Sequence, residues 1–268
     1  MRFFVSVSGG KDSTALLLWA KNHLPNNLIV PFFSDTGNEH DFTYEYINYL
    51  QDKIGFEITR LRAEIPTTKA EKYGLTEEEF RELPVMLQQA LHKGRFASSQ
   101  ARFCTTDLKL EPAKKFLKQF EGDKVMLVGV RRDESLARAN AKRMEFDEFY
   151  KCPIWRPLVD WTAEDVFNYL KEHDVEPNPL YKMGFKRVGC FPCIMANKDE
   201  IYEIAQHFPE HFDRIREWES MVGRTFFAPL KKGMINWVDD VVAWSGGNNG
   251  YIEFPELPKC KSHYAICE

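Results

Sequence analysis

The chain has 268 residues, 44% of them hydrophobic and 14% aromatic, and 40 acidic against 36 basic side chains give it a formal net charge of -4. That composition supplies one large core or a core plus a smaller lobe, and the slight negative charge argues against a surface coated for nonspecific nucleic-acid binding. No apolar run approaches the roughly 18 residues of a membrane span and the opening run is too short for a signal peptide, so a cytoplasmic protein without membrane contact is expected.

Strand-like and helical runs alternate through the first half. A strand over Arg2 to Val7 precedes a helix from Asp12; a strand over Leu28 to Phe33 precedes a helix from Glu39; a third strand covers Phe56 to Leu61. Such alternation predicts an α/β fold with an open, mainly parallel twisted sheet and helices on both faces. The rhythm breaks at Glu64 to Phe103, a lid or insertion in which Thr76 caps a helix that Pro84 limits. The sheet resumes at "KVMLVGV", Lys124 to Val130, and Thr162 caps a later helix that buries Val166, Phe167 and Leu170. From about Arg187 cysteine, proline and glycine become prominent. Two helices, from about Asn197 and Glu210, carry a core stripe of Ile201, Ile204, Phe208, Phe212, Ile215 and Trp218. The expected division is a nucleotide-binding α/β domain over 1–186 and a C-terminal cysteine-containing helical lobe over 187–268.

The first strand ends in "SGGKDS", Ser8 to Ser13. A strand, a glycine turn and a helix N-terminus in succession leave backbone N–H groups aimed at one spot with the helix dipole behind them, which favours phosphate. The spacing is not that of the common phosphate loop, because Gly9 and Gly10 are adjacent. Both glycines are expected to tolerate positive φ and close approach of phosphate, Lys11 to supply charge, and Ser8 and Ser13 to supply hydroxyls. A second "SGG", Ser245 to Gly247, lacks the lysine and the following apolar helix and reads as a loop. "FFSDTGNE" places Asp35, Thr36 and Gly37 just past the second strand, at the carboxyl end where open α/β sheets bind ligands. "GVRRDESLARANAKR" collects Arg131, Arg132, Arg138, Lys142 and Arg143, a set suited either to anionic groups or to a solvated, salt-laced surface.

"SGGKDS" resembles the pyrophosphate-binding loop (PP-loop) of the adenine nucleotide α-hydrolase superfamily. With "FFSDTGNE", "FCTTDLKLEP" and "GVRRDESLAR" in order, the chain from about Arg2 to Cys193 resembles the phosphoadenosine phosphosulfate reductase family. The resemblance implies a nucleotide site built from Ser8, Gly9, Gly10, Lys11, Asp12, Ser13, Asp35, Thr36, Gly37, Gly129, Arg131 and Arg138. It implies a catalytic set of Lys11, Asp12, Cys104, Lys109 and Arg131.

Of the six cysteines, Cys190 and Cys193 form C-x2-C, and Cys260 and Cys267 form C-x6-C. Four thiolates suit a tetrahedral zinc or a [4Fe-4S] cluster, and spacing does not choose between them. The resemblance favours iron–sulfur. Cys152, in "YKCPIW", reads as buried and inert. Two features depart from the reductases: Cys104 stands alone where cluster-bearing reductases have adjacent cysteines, and their mobile tail with a single nucleophilic cysteine before a glycine is missing. Both departures resemble the ATP pyrophosphatases of DNA phosphorothioation systems. The function implied is cleavage of ATP-Mg2+ to AMP and pyrophosphate, activating an acceptor, whether DNA backbone, tRNA base or small metabolite, for sulfur delivered by a cysteine desulfurase, with Cys104 as the candidate to receive or position that sulfur. The alternatives are a phosphoadenylyl or adenylyl sulfate reductase served by thioredoxin, and a non-catalytic nucleotide sensor.

Overall fold

The computed structural model describes residues 1–229 and 236–246. Six strands, β1 (Arg2–Ser6), β2 (Ile29–Asp35), β3 (Thr59–Arg62), β4 (Lys124–Leu127), β5 (Met144–Asp147) and β6 (Cys152–Trp155), form one sheet in the order β3-β2-β1-β4-β6-β5. Every neighbouring pair is parallel except β5 and β6. The chain winds outward from β1 to β3 and then crosses to β4 on the other side of β1. The switch in strand order therefore lies between the carboxyl ends of β1 and β4, where such sheets open a crevice.

Helices cover both faces, because β1 is apolar on both. Phe3 and Val5 pack into a core with α1 (Lys11–His23), α2 (Asp41–Leu50) and α7 (Ala163–Glu172), while Phe4 joins Phe32, Met126 and Ile154 under α6 (Glu111–Lys118). Two-sided burial is the mark of a central parallel strand. A third core joins α3 (Glu77–Glu82) and α4 (Val85–Lys93) to α8 (Pro179–Lys182), α9 (Lys198–His207), α10 (Glu210–Val222) and α11 (Val238–Gly246), through Phe80, Leu87, Leu180, Ile201, Phe212 and Val241. The 64–103 segment thus shares a packed interior with residues after 186.

Capping boxes begin α3 at Thr76, α7 at Thr162 and α9 at Asn197, and Pro84 separates α3 from α4. Three expectations about these elements need correction. The third strand starts at Thr59, because the chain leaves α2 through a π-helical turn over Gln51–Gly55. Phe167 is 36% exposed: Val166 and Leu170, four residues apart, fill the buried stripe, and Phe167 turns edge-on to Tyr181. The second "SGG" is not a loop at its start, since Ser245 and Gly246 end α11; Gly247 lies outside the described residues. The β5–β6 hairpin was not anticipated, because Met144 and Phe146 face outward and Pro153 interrupts the strand pattern. Among the described residues no helix is long and apolar enough to cross a membrane.

Candidate active site

At the switch point the chain turns from β1 into α1 over Ser8 to Lys11. Gly9 takes φ +81°, and a Cβ there would lie 2.9 Å from Thr43 Cγ2. Gly10 differs from expectation: its φ of -81° and ψ of 161° are extended backbone, open to any residue. The serines brace the turn. Ser8 N donates to Ser13 Oγ at 3.0 Å, the two hydroxyls lie 3.0 Å apart, and Gly10 N donates to Ser8 Oγ at 3.3 Å. Gly10 gives α1 no side-chain cap, so this 13-residue helix presents its N-terminal donors to the crevice. Lys11 N–H donates to the Tyr181 hydroxyl at 3.0 Å.

Beneath the turn, Asp12 is fully buried between two cations. Its Oδ1 meets Arg131 Nε at 2.5 Å and its Oδ2 meets Lys11 Nζ at 2.9 Å. Burial works against the Arg131 charge, but Asp12, Glu134 and Asp133 more than restore it, and its pKa is raised. Arg131 shares its charge between Asp12 and Asp133, so the positive polarity at the start of α1 comes from Lys11 and the helix dipole, a polarity suited to polyphosphate. Gly129 lets β4 come this close, since a Cβ there would lie 3.0 Å from the Asp12 carbonyl carbon and oxygen. Arg138 is buried against Glu134, whose other oxygen accepts from Arg131 N–H. Arg132 and Arg143 both pair with exposed Asp160, so the surface reading holds for that half of the cluster.

The end of β2 supplies a second polar group. Asp35 Oδ1 accepts from Gly37 N–H and the Tyr44 hydroxyl, both at 2.8 Å. Glu39, fully buried, accepts from the Thr36 hydroxyl at 2.6 Å and from Tyr44 at 3.1 Å. Burial raises the Glu39 pKa; nearby Lys109 and the Thr36 and Tyr44 hydrogen bonds oppose that, and Asp35 adds to it. Lys109 lies in a π-helical turn over Thr106–Leu110, between a short α5 (Phe103–Thr105) and α6. Beside it an open groove of about 510 Å³ runs between the end of β3, α4 and α6, with Arg60, Arg62, Lys93 and Lys115 on its rim. In sheet register Arg62 stands opposite Asp35, which places the groove next to the site.

The cysteine pair is docked on this group. Cys190 bridges to Glu39 through backbone, and its Sγ lies 3.5 Å from the Thr36 hydroxyl and 3.9 Å from Glu39 Oε1. Burial pushes the Cys190 thiol up to about 12; Lys109 opposes this and Glu39 and Cys193 reinforce it. Met195 N–H reaches Cys193 Sγ at 3.4 Å. The Thr36 hydroxyl gives its proton to Glu39 and can accept from Cys190, whereas the Met195 amide is directed at Cys193, which fits a sulfur ligand whose charge needs a donor once a metal is bound. Cys260 and Cys267 lie outside the described residues, and within those residues no group of three or more His, Cys, Asp or Glu could hold a metal. Cys104 packs into the third core beside Phe103 and Ile194. Cys152 is buried, and burial with Asp147 nearby raises its pKa. Glu39, Asn38, Tyr44 and Tyr181 were not singled out from sequence; "DTGNE" put Glu39 four residues past Asp35, but Tyr181 arrives by a contact spanning 170 positions.

A six-stranded, mostly parallel sheet with this turn at its switch point is the adenine nucleotide α-hydrolase architecture. The chain belongs to the phosphoadenosine phosphosulfate reductase domain family within that superfamily, the family match covering residues 2–196. An uncharacterized 37.8 kDa protein of Escherichia phage 186 is 38% identical over 252 residues, covering 81% of this chain and 74% of that protein. An uncharacterized protein of Methanocaldococcus jannaschii is 30% identical over 87% of this chain, which spans only 45% of that relative. Adenosine 5'-phosphosulfate reductase 2 of Bacillus subtilis is 28% identical over 62% of each chain. The crystal structure of phosphoadenylyl-sulfate reductase from Candida auris, a phosphate complex, shares the fold with a TM-score of 0.53 at 20% identity, covering 72% of this chain and 83% of that one.

Proposed function

We propose that the protein is an ATP pyrophosphatase that activates an acceptor for sulfur transfer. ATP arrives as its magnesium complex, and the α1 N-terminus with Lys11 holds the phosphates that leave. An acceptor oxygen, entering from the groove beside β3, attacks the α phosphorus; the bond to the β-phosphate oxygen breaks and pyrophosphate departs. A cysteine desulfurase then passes persulfide sulfur to Cys104, the residue proposed to receive it; the outer sulfur displaces AMP to leave an acceptor–S–S–Cys104 disulfide, and a thiol supplied by a partner cleaves it, releasing the thiolated acceptor and leaving a disulfide on Cys104. Asp12 holds Lys11 on one oxygen and Arg131 on the other and so positions both cations at the start of α1.

The placement of the thiols carries the choice of ATP over a sulfonucleotide. Attack on sulfonate sulfur needs a thiolate, which forms where a cysteine is accessible and beside cations. Among the described residues, Cys152 is buried in β6, Cys190 and Cys193 are assigned to the cluster proposed below, and Cys104, half-buried against the third core, is assigned to receive sulfur. The B. subtilis relative keeps the reductase as the second reading. The deciding experiment gives anaerobic protein either ATP and Mg2+, or adenylyl or phosphoadenylyl sulfate with reduced thioredoxin. Pyrophosphate is expected from the first. Sulfite at a catalytic rate without pyrophosphate would make the protein a reductase, and tight ATP binding without either product would make it a sensor.

Cys190 and Cys193, with Cys260 and Cys267, are proposed to hold a [4Fe-4S] cluster, which would brace the site electrostatically and structurally. Protein purified without oxygen is expected to be brown and to contain iron and sulfide, both lost in Cys193→Ser. Zinc without iron would overturn the cluster assignment.

A further inference from the structure

Helix α10 lies beyond residue 196, where the family match ends, yet one of its side chains joins the two halves of the site. Arg214 Nη2 donates to Asn38 Oδ1 at 2.9 Å and to the Phe191 carbonyl at 2.8 Å, and lies 3.0 Å from His211 Nδ1. Asn38 closes the circuit: its Nδ2 donates to the Pro192 carbonyl at 2.8 Å, and its carbonyl accepts from Phe191 N–H at 2.5 Å. One guanidinium thus ties the turn that follows Asp35 to the loop between Cys190 and Cys193. Asn38 is fully buried, and Arg214 Nε is buried without a hydrogen-bond partner. An orphaned donor costs stability, so this side chain is held where its other nitrogen is needed. His211 Nδ1 faces Arg214 Nη2, and burial, Arg214 and His40 pull the His211 pKa down to about 3 against a hydrogen bond to the Phe191 backbone that raises it.

We infer that Arg214 is a positioning residue that sets the Thr36–Glu39 turn of the nucleotide site against the Cys190–Cys193 loop, so that nucleotide bound at the turn orders the loop. The inference rests on the reading of this site as a nucleotide site. A lysine is a poor replacement, because its shorter stem does not carry the ammonium to the position that Nη2 holds, and an ammonium does not stack on Trp218 as the flat guanidinium does.

Hydrogen exchange with mass spectrometry on the full chain tests it, because Phe191 N–H, bonded to Asn38, is itself a reporter. Wild type, Arg214→Lys and Arg214→Ala are compared with and without a non-hydrolysable ATP analogue and Mg2+, with melting temperature and analogue affinity measured in parallel. Without nucleotide, both variants are expected to exchange faster over 188–195 while peptides of α9 stay as in wild type. With analogue bound, wild type is expected to gain about tenfold protection over 188–195, the scale of one charged hydrogen bond, and both variants to lose most of that gain even at saturation. Equal protection in wild type and Arg214→Lys would overturn the positioning role, as would exchange that rises throughout α9 and α10. If the analogue does not bind wild type, the proposed function fails, while the nucleotide-free comparison still decides whether Arg214 holds the loop.

Discussion

Lys11→Ala is expected to slow pyrophosphate release about a hundredfold while ATP affinity falls by less than about tenfold. The asymmetry follows from where the charge is needed. Lys11 Nζ sits at the start of α1, 2.9 Å from Asp12, and its contribution grows as negative charge accumulates on the departing pyrophosphate. The substitution does not orphan the buried carboxylate, because Asp12 keeps Arg131 on its other oxygen. Removing Arg131 instead would strand Asp12 without that partner at a cost of about 3–5 kcal/mol, which confuses unfolding with catalysis. Single-turnover pyrophosphate release and equilibrium ATP binding, measured on protein with an unchanged melting temperature, separate the two effects. Undiminished release from folded Lys11→Ala would place the phosphates elsewhere.

The parts of this site that were legible in the sequence are those whose cause is local. β1, the glycine turn and α1 are consecutive, so an apolar run, two glycines and a second apolar run announce them. Asp35 to Gly37 follow β2 directly, and the end of an open parallel sheet is a place physics assigns to ligands. What closes the site is not local. Tyr181 reaches Lys11 across 170 positions and Arg214 reaches Asn38 across 176. No window of sequence holds both partners, and neither residue type is unusual on a helix. The third core was hidden for the same reason: the stripe of Ile201, Ile204 and Phe212 reads as a buried face, but nothing in it names Phe80 and Leu87 as the surface it meets. The arginine cluster divided along a line that spacing could not draw, Arg131 and Arg138 going inward to Asp12 and Glu134 while Arg132 and Arg143 share Asp160 outside.

The two glycines of the turn are expected to fail differently, although the sequence presents them as equals. Gly9 holds a left-handed backbone that costs an L-residue about 1–2 kcal/mol, and its new Cβ would sit 2.9 Å from Thr43 Cγ2 on buried α2. The helix must then shift or the turn must open. Gly9→Ala should therefore lower the melting temperature by roughly 4–12 °C, the consequence of about 2–3 kcal/mol in a chain of this size, and lose ATP binding with it. Gly10 is extended and accepts an alanine without backbone strain, so Gly10→Ala should melt near wild type. Its cost should fall on ATP affinity alone, through a methyl group placed where phosphate must approach the main chain. Calorimetry and ATP titration of the pair give the answer. A Gly9→Ala protein that melts and binds as wild type would show that the turn needs no left-handed residue. A Gly10→Ala protein with undiminished affinity would show that no phosphate approaches the backbone there, and the leaving group would have to be held by Lys11 and Arg131 without the loop.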